Sequence, residues 1–289
     1  MRFGIQISQG VGLKPTGRDY ISLAQYAEAL GFHSVWIGDH IVIPKRITAA
    51  YPYTKDGSLG FPPETPYLDS LAVLTAIGAT TTKIKIGTGI LVVPYRNPID
   101  VAKSVITADL MSNGRLLLGV GVGWLREEFE ALGIPFSERG LRTDESLQIM
   151  KAMWTGNLPF KGKLFSVPEV HVYPPPVQTP HPPIIIGGQG MPAFQRIVSF
   201  GDGWYSGTIA SNELRPLLDR LEAMLAERGR TLSDIRILMS ASPQLMCEQP
   251  SEIIKLEKVG VGELIVLLRE PTPEHSCATM DKVARAVFG

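Results

Sequence analysis

The sequence predicts an α/β fold closed into a single (β/α)8 barrel of the TIM type, and three observations carry that prediction. Eight short runs rich in Val, Ile and Leu recur along the 289 residues, at 3–7, 34–37, 84–88, 116–122, 184–186, 203–206, 235–240 and 263–267. None alternates cleanly between apolar and polar, which marks strands buried on both faces, as in a parallel sheet. Between and after them lie helical patterns at 19–30, 67–81, 98–111, 141–154, 193–200, 213–228, 251–259 and 273–287, each long enough for a crossover. A doubly wound open sheet is the competing arrangement. It expects a Gly-x-Gly-x-x-Gly fingerprint after the first strand, where this chain has Ser8-Gln9-Gly10-Val11-Gly12.

The elements follow from local patterns. In 19–30, Ile21, Ala24, Ala27 and Leu30 share one helical face, and Gly31 stands where a helix C-terminus favours glycine. The third and fourth strands run out into Gly87-Thr88-Gly89-Ile90 and Gly119-Val120-Gly121-Val122-Gly123, and the fifth into Gly187-Gly188. Glycine at a buried strand end lets another group approach the backbone closely, which points to a flat ligand. Two intervals, 41–66 after the second strand and 156–183 before the fifth, are too long for simple connections. The first begins at a strand's C-terminal end, where barrel enzymes build their sites, and is expected to serve binding. The second, with Tyr173-Pro174-Pro175-Pro176, reads as a stiff brace.

Composition narrows the function. Lys plus Arg and Asp plus Glu balance at 28 each, so no global field favours nucleic acid, an anionic membrane or a polyacidic partner. The hydrophobic content of 44% suits one large core, with residues 1–289 as a single domain. Cys247 and Cys277 lack metal-ligand spacing, the start Met1-Arg2-Phe3-Gly4-Ile5 enters a strand pattern, and no apolar run reaches membrane-spanning length. The expectation is a cytoplasmic protein that binds a small, largely apolar molecule and no metal.

The second strand ends in Gly38-Asp39-His40 at the expected barrel mouth. His40 can hold or donate a proton near neutral pH; as an ordinary loop pair, Asp39 would instead cap the following segment and His40 would be a satisfied polar group. Gly187-Gly188-Gln189-Gly190 precedes a helix and offers free N–H groups to a phosphate. Asp109 and Arg115, flanking Asn113-Gly114, fall at the opposite end and read as structural. So do Arg139, Arg142, Asp144 and Glu145 around a helix start.

In this order and spacing, several segments resemble the luciferase-like flavin and deazaflavin oxidoreductases, most nearly the branch that uses coenzyme F-420. They are residues 31–40 (GFHSVWIGDH), Gly87-Thr88-Gly89-Ile90, residues 113–124 (NGRLLLGVGVGW), residues 139–145 (RGLRTDE), and Pro183-Ile184-Ile185-Ile186-Gly187-Gly188 with Gly201-Asp202-Gly203-Trp204. The resemblance implies a non-proline cis peptide at Gly89-Ile90 in a bulge behind the cofactor's ring. It also implies ring contacts at Asp39 and Gly121-Val122-Gly123, and a cofactor phosphate at Gly187-Gly188. His40 would move a proton, Asp39 would orient the ring, and a loop with Tyr51, Tyr53, Phe61 and Tyr67 would close over a small substrate. The implied cofactor is coenzyme F-420, with FMN as alternative; a non-catalytic flavin-binding barrel is the reading of another class. A homodimer is implied, with a separate flavin or deazaflavin reductase as possible partner. One departure stands out. Where sugar-phosphate dehydrogenases of this branch carry Gly-Glu after the fourth strand, this chain has Gly123-Trp124, and Trp cannot accept a proton. Glu127 and Glu128 follow without an assigned role. The lysine expected after the sixth strand is also unmatched, with Ser206-Gly207-Thr208 there.

Overall fold

Eight parallel strands close on themselves. They are β1 (Arg2–Ile7), β2 (Ser34–Ile37), β3 (Lys85–Thr88), β4 (Leu116–Gly121), β5 (Ile184–Gly187), β6 (Gly203–Ser206), β7 (Arg236–Ala241) and β8 (Glu263–Leu268). In the computed structural model, which describes residues 1–7, 16–51, 57 and 65–289, they neighbour one another in the order β3-β2-β1-β8-β7-β6-β5-β4. Pairing of β3 with β4, Ile86 opposite Leu116, shuts the cylinder. The expected (β/α)8 barrel is the fold of this chain, and Tyr53 and Phe61 lie outside the described residues.

The helices are α1 (Gly17–Ala29), α2 (Ser70–Thr80), α3 (Pro98–Met111), α4 (Arg126–Ala131), α5 (Arg139–Thr155), α6 (Met191–Phe200), α7 (Ser211–Ala226), α8 (Pro243–Glu248), α9 (Pro250–Lys258) and α10 (Pro273–Phe288). Their ends obey capping chemistry. Thr16 and Asp19 form a capping box on α1, and Gly31 has φ 89°. The Asn97 side chain accepts from Ile99 N–H at 2.9 Å before α3. α2 starts three residues later than the pattern suggests because Asp69 caps it, accepting from Ala72 N–H at 2.9 Å. That leaves Tyr67 in the wall of the barrel mouth. α4, α8 and a small antiparallel pair, Phe160–Lys161 with Ser166–Val167, occupy stretches whose sequence gives no helical or strand period.

Side chains alternate along each strand. Trp36, Leu117, Ile185, Tyr205, Leu238 and Ile265 fill the barrel interior with Ile90, while their neighbours pack outward against the helices. Each such burial contributes about 1.5–3 kcal/mol. Gly87 is required inside because a Cβ there would meet the Trp36 ring at 2.5 Å.

The end opposite the mouth is braced as expected. Arg115 donates to the carbonyls of Gly78, Thr81, Ile84 and Ser112 at 2.6–2.8 Å. Asp109 accepts from the N–H groups of Val177 and Gln178 at 2.8 and 3.0 Å. Lys103 donates to the Tyr173 carbonyl, so the proline-rich segment is strapped along α3. Away from that end, Glu145 accepts from the N–H groups of Lys163, Leu164 and Phe165, and Asp144 pairs at 2.6 Å with Arg196, which borders the cavity.

One carboxyl inside the barrel couples the fold to pH. Glu263 is buried, accepts a short hydrogen bond from Ser34 Oγ, and sits below Trp36, whose Nε1 donates to Ser34 Oγ at 2.6 Å. Burial pushes the Glu263 carboxyl above its ordinary value, against the opposing pull of Ser34, Arg2 and Arg236. A raised value means stability fully present below the unfolded carboxylate range, about 4.3, and lost as pH rises through the folded value. Glu263→Gln therefore matches the parent's urea midpoint at pH 4 and exceeds the parent's stability at pH 8. A variant less stable than the parent at pH 8 contradicts this account.

Candidate active site

The C-terminal ends of the strands open on a cavity of about 750 Å³. Asp39, His40, Gly89, Ile90, Gly121, Val122, Gly123, Gly187 and Gly188 all line it, so residues far apart in sequence meet at one rim.

The floor is built around Ile90. The Gly89-Ile90 peptide is cis. A Cβ on Gly121 or Gly187 would collide with Ile90 Cδ1, and one on Gly119 with the Thr88 carbonyl oxygen. This corrects the reading of the glycines as bare backbone for a ligand. At 121 and 187 they make room for Ile90, and its aliphatic side chain forms the shelf. Gln6 Nε2 donates to the Gly89 carbonyl at 3.1 Å, Tyr205 donates to Gln6 Oε1 at 3.0 Å, and Ser240 Oγ donates to the Tyr205 oxygen at 3.3 Å. That chain pins the bulge from below.

Asp39 and His40 point their polar atoms to different partners. The Asp39 carboxylate accepts two bonds from Arg96 at 2.7 and 2.8 Å, one from Val92 N–H at 2.9 Å and one from Ser70 Oγ at 3.2 Å. It fixes the end of β2 to the residue two beyond Ile90 and to the start of α2. The carboxylate is thus spent on bracing the shelf rather than on the cavity.

His40 is backed by a residue the sequence left without a role. Its Nδ1 lies 2.6 Å from Glu128 Oε2, and Glu128, on α4, is fully buried. The same carboxylate accepts from Tyr95 OH at 2.9 Å and from Ile41 and Val42 N–H at 2.7 and 3.2 Å. The Nδ1 side of the His40 ring is thereby committed to this carboxylate. Burial, and then the Glu128 charge, push the Tyr95 phenol far above its ordinary value, so it stays a donor. Glu127 turns the other way: burial raises its carboxyl, but bonds from the Thr48 side chain and from Thr48 and Ala49 N–H bring it down to about 2.

Aromatic rings wall the mouth. Tyr67 stands edge-on to His40 at 4.8 Å, and Trp124 contacts His40 at 6.3 Å and Tyr51 at 5.0 Å between centroids. Trp124 thus serves as a wall where a proton acceptor would stand in sugar-phosphate dehydrogenases. At the far side Gly188 has φ 112°, Gly190 precedes α6, and Trp204 Nε1 donates to the Gly188 carbonyl at 2.7 Å. Arg196 on α6 also lines the cavity. Among the described residues no cluster of His, Cys, Asp and Glu could hold a metal ion.

Residues 1–249 match the family profile described as luciferase-like monooxygenase. The chain belongs to the luciferase-like monooxygenase family. It is 33% identical over 253 residues to an uncharacterised protein of Mycobacterium tuberculosis (strain ATCC 25618 / H37Rv), covering 87% of this chain and 85% of that protein. An F420-dependent glucose-6-phosphate dehydrogenase of Microbacterium testaceum (strain StLB037) is 30% identical over 266 residues, 89% of this chain and 73% of its own length. The structure of an F420-dependent secondary alcohol dehydrogenase in complex with an F420-acetone adduct superposes with TM-score 0.77 at 20% identity, covering 99% and 98% of the two chains. That likeness carries the barrel fold. The family makes this luciferase-like chain an oxidoreductase, and among its described residues no helix is long and apolar enough to cross a membrane.

Two glycine substitutions separate backbone from side-chain tolerance. Gly119→Ala sets a Cβ against a backbone carbonyl that cannot turn away, and is expected to cost about 3 kcal/mol or more. Gly121→Ala meets the tip of Ile90, which can change rotamer, and is expected to cost about 1 kcal/mol. Urea denaturation of both variants checks the order; equal losses would remove Ile90 as the reason for Gly121. Asp39→Ala leaves Arg96 buried without its main partner, with an expected loss of about 3–5 kcal/mol.

Proposed function

We propose that this chain is a deazaflavin-dependent oxidoreductase that binds coenzyme F-420 at the C-terminal mouth and serves hydride transfer to or from a small organic substrate. The observation that carries the reading is the His40–Glu128 pair at the edge of an apolar shelf. The shelf is flat because Gly121 and Gly187 admit Ile90, and it suits one face of a tricyclic ring. The turn at Gly187-Gly188 and the start of α6 would take the phosphate, with Arg196 beside it. When bound, the deazaflavin supplies two-electron hydride chemistry at a ring carbon.

The protein's part is positioning and proton handling. Asp39 and Gln6 fix the shelf. Glu128 holds the His40 ring at the cavity edge through Nδ1, and the imidazole would give or take the substrate's proton. Trp124, Tyr51 and Tyr67 exclude water and select an apolar body. The dehydrogenase relative acts on glucose 6-phosphate, a substrate not carried over here because Trp124 and Ser206-Gly207-Thr208 stand at the two distinguishing positions. Residues 1–289 would act as one domain, in a cytoplasmic homodimer, supplied by a separate reductase.

The test is titration of the purified chain with F-420 and with FMN, reduced and oxidised, followed by absorbance and fluorescence. F-420 is expected to bind at least tenfold more tightly. The reverse order overturns the proposal in favour of a reduced-FMN monooxygenase, for which the aromatic wall would shield an oxygenated flavin. Binding of neither removes both readings. With a turned-over substrate, His40→Ala is expected to lower kcat about 10²–10⁴-fold. Glu128→Gln should cost about 10–100-fold and alter the pH–rate profile, while cofactor affinity stays within threefold. An unchanged pH profile would reduce Glu128 to a packing role.

A further inference from the structure

The end of the barrel remote from the cavity gathers positive charge at its rim, where Arg2 and Arg236 are exposed and Lys85, half-buried, donates from Nζ to the Gly114 carbonyl at 3.3 Å. Three strands carry these cations, β1, β3 and β7, with β2 between β3 and β1 and β8 between β1 and β7. Their interior positions are set by alternation. Gln6 lines the cavity from within, and a Cβ on Gly4 would collide with Ser34 Oγ and lie 2.9 Å from Glu263 Oε1; one further step of two residues toward the strand start reaches Arg2. The same count runs from Gly87 to Lys85 and from Leu238 to Arg236. Three cations therefore belong to the inward set at the N-terminal mouth.

Their charge is not compensated by ion pairing. Among the described residues, the ion pairs formed involve none of Arg2, Lys85 and Arg236. The nearby carboxyls are engaged elsewhere. Glu263 is bonded to Ser34 and pushed toward its neutral form by burial. Glu28 accepts from the N–H groups of Thr82, Lys83 and Ile84 at 2.6–2.9 Å. Asp109, which acts on Lys85, holds Val177 and Gln178. Arg2 Nη1 lies 3.4 Å from His33 Nε2, which is 4.0 Å from Glu263 Oε2. His33 reports the joint field: burial, and then Arg2, Lys85 and Arg236, bring it down to about 4. Lys85 is lowered by burial, then by Arg236, Arg115 and Arg2.

We propose that the N-terminal mouth of the barrel binds a compact oxyanion, phosphate or sulfate, between Arg2, Lys85 and Arg236. The guanidinium groups offer paired N–H donors that match two oxygens of such an anion, and Lys85 adds a point charge. Occupancy relieves the mutual repulsion of the cations and stabilises the barrel by mass action. The inference does not rest on the deazaflavin reading, since none of the three residues lines the upper cavity.

The experiment uses the full chain without cofactor, with chloride replaced by sulfate or inorganic phosphate at constant ionic strength. Tm is expected to rise by about 3 °C or more by 20 mM phosphate at pH 7.5. Arg236→Gln and Arg2→Gln should each weaken the apparent affinity at least tenfold, while Glu263→Gln keeps it. In NMR titrations of the parent, assigned with His33→Asn, 20 mM sulfate should raise the His33 midpoint by at least half a pH unit above its value in chloride, because the anion cancels the cations that depress it. This readout needs no arginine variant to fold. Equal Tm and equal His33 midpoint in chloride and sulfate overturn the proposal. So does a Tm rise that survives both arginine substitutions, which would belong to the upper mouth.

Discussion

The site depends on where the side chain of Ile90 can go. The bulge after β3 turns this residue into the barrel, above Trp36, and the space exists only because residues 121 and 187 carry no Cβ. The Thr88 carbonyl likewise needs the bare Cα of Gly119. Two neighbouring strands, β4 and β5, therefore give up side chains at three positions so that the bulge after β3 can cross them. The result is a flat aliphatic ledge at the open end of a cylinder whose interior is otherwise fully packed. Everything polar in the mouth is arranged around that ledge: Gln6 holds it from beneath, and Asp39 ties down Val92 just beyond it.

Two buried carboxylates at the mouth are satisfied in different ways, and the difference assigns their roles. Asp39 faces a guanidinium that cannot lose its proton, with two further donors filling its remaining positions; such a cluster is static across the working pH range. Glu128 has no permanent cation among its partners in the described residues. Its donors are two backbone N–H groups, a phenol and an imidazole, and the imidazole is the one partner able to change protonation near neutral pH. The same geometry around a lysine or an arginine would only brace the loop.

Period and punctuation made the barrel legible, because near-continuous apolar runs, crossover-length helices and Gly31 each state a local preference that tertiary packing did not override. The glycine-ended strands and the Asp39-His40 step were visible for the same reason: their meaning depends on position within one strand. Glu128 was not, since its partner is 88 residues away and α4 is too short to show a period. The role of Gly121 and Gly187 was misread because a missing side chain says that something approaches, not whether it is a ligand or Ile90. Tyr67 moved from helix to wall because a single cap at Asp69 overrode the apolar pattern.

An apolar layer around Trp36 divides the two ends of the barrel. Its indole N–H points down to Ser34 and so toward Glu263, while its ring lies 5.4 Å from that of Tyr205, whose hydroxyl joins Gln6 on the upper side. Leu117, Ile185, Leu238 and Ile265 complete the layer, and none carries a polar side-chain atom. No hydrogen-bonded path crosses it among these side chains, while the Glu263 charge still acts on the Tyr205 phenol. Charge at the lower mouth thus reaches the upper side only as a field, since the layer offers no continuous hydrogen-bonded relay between Trp36 and Tyr205.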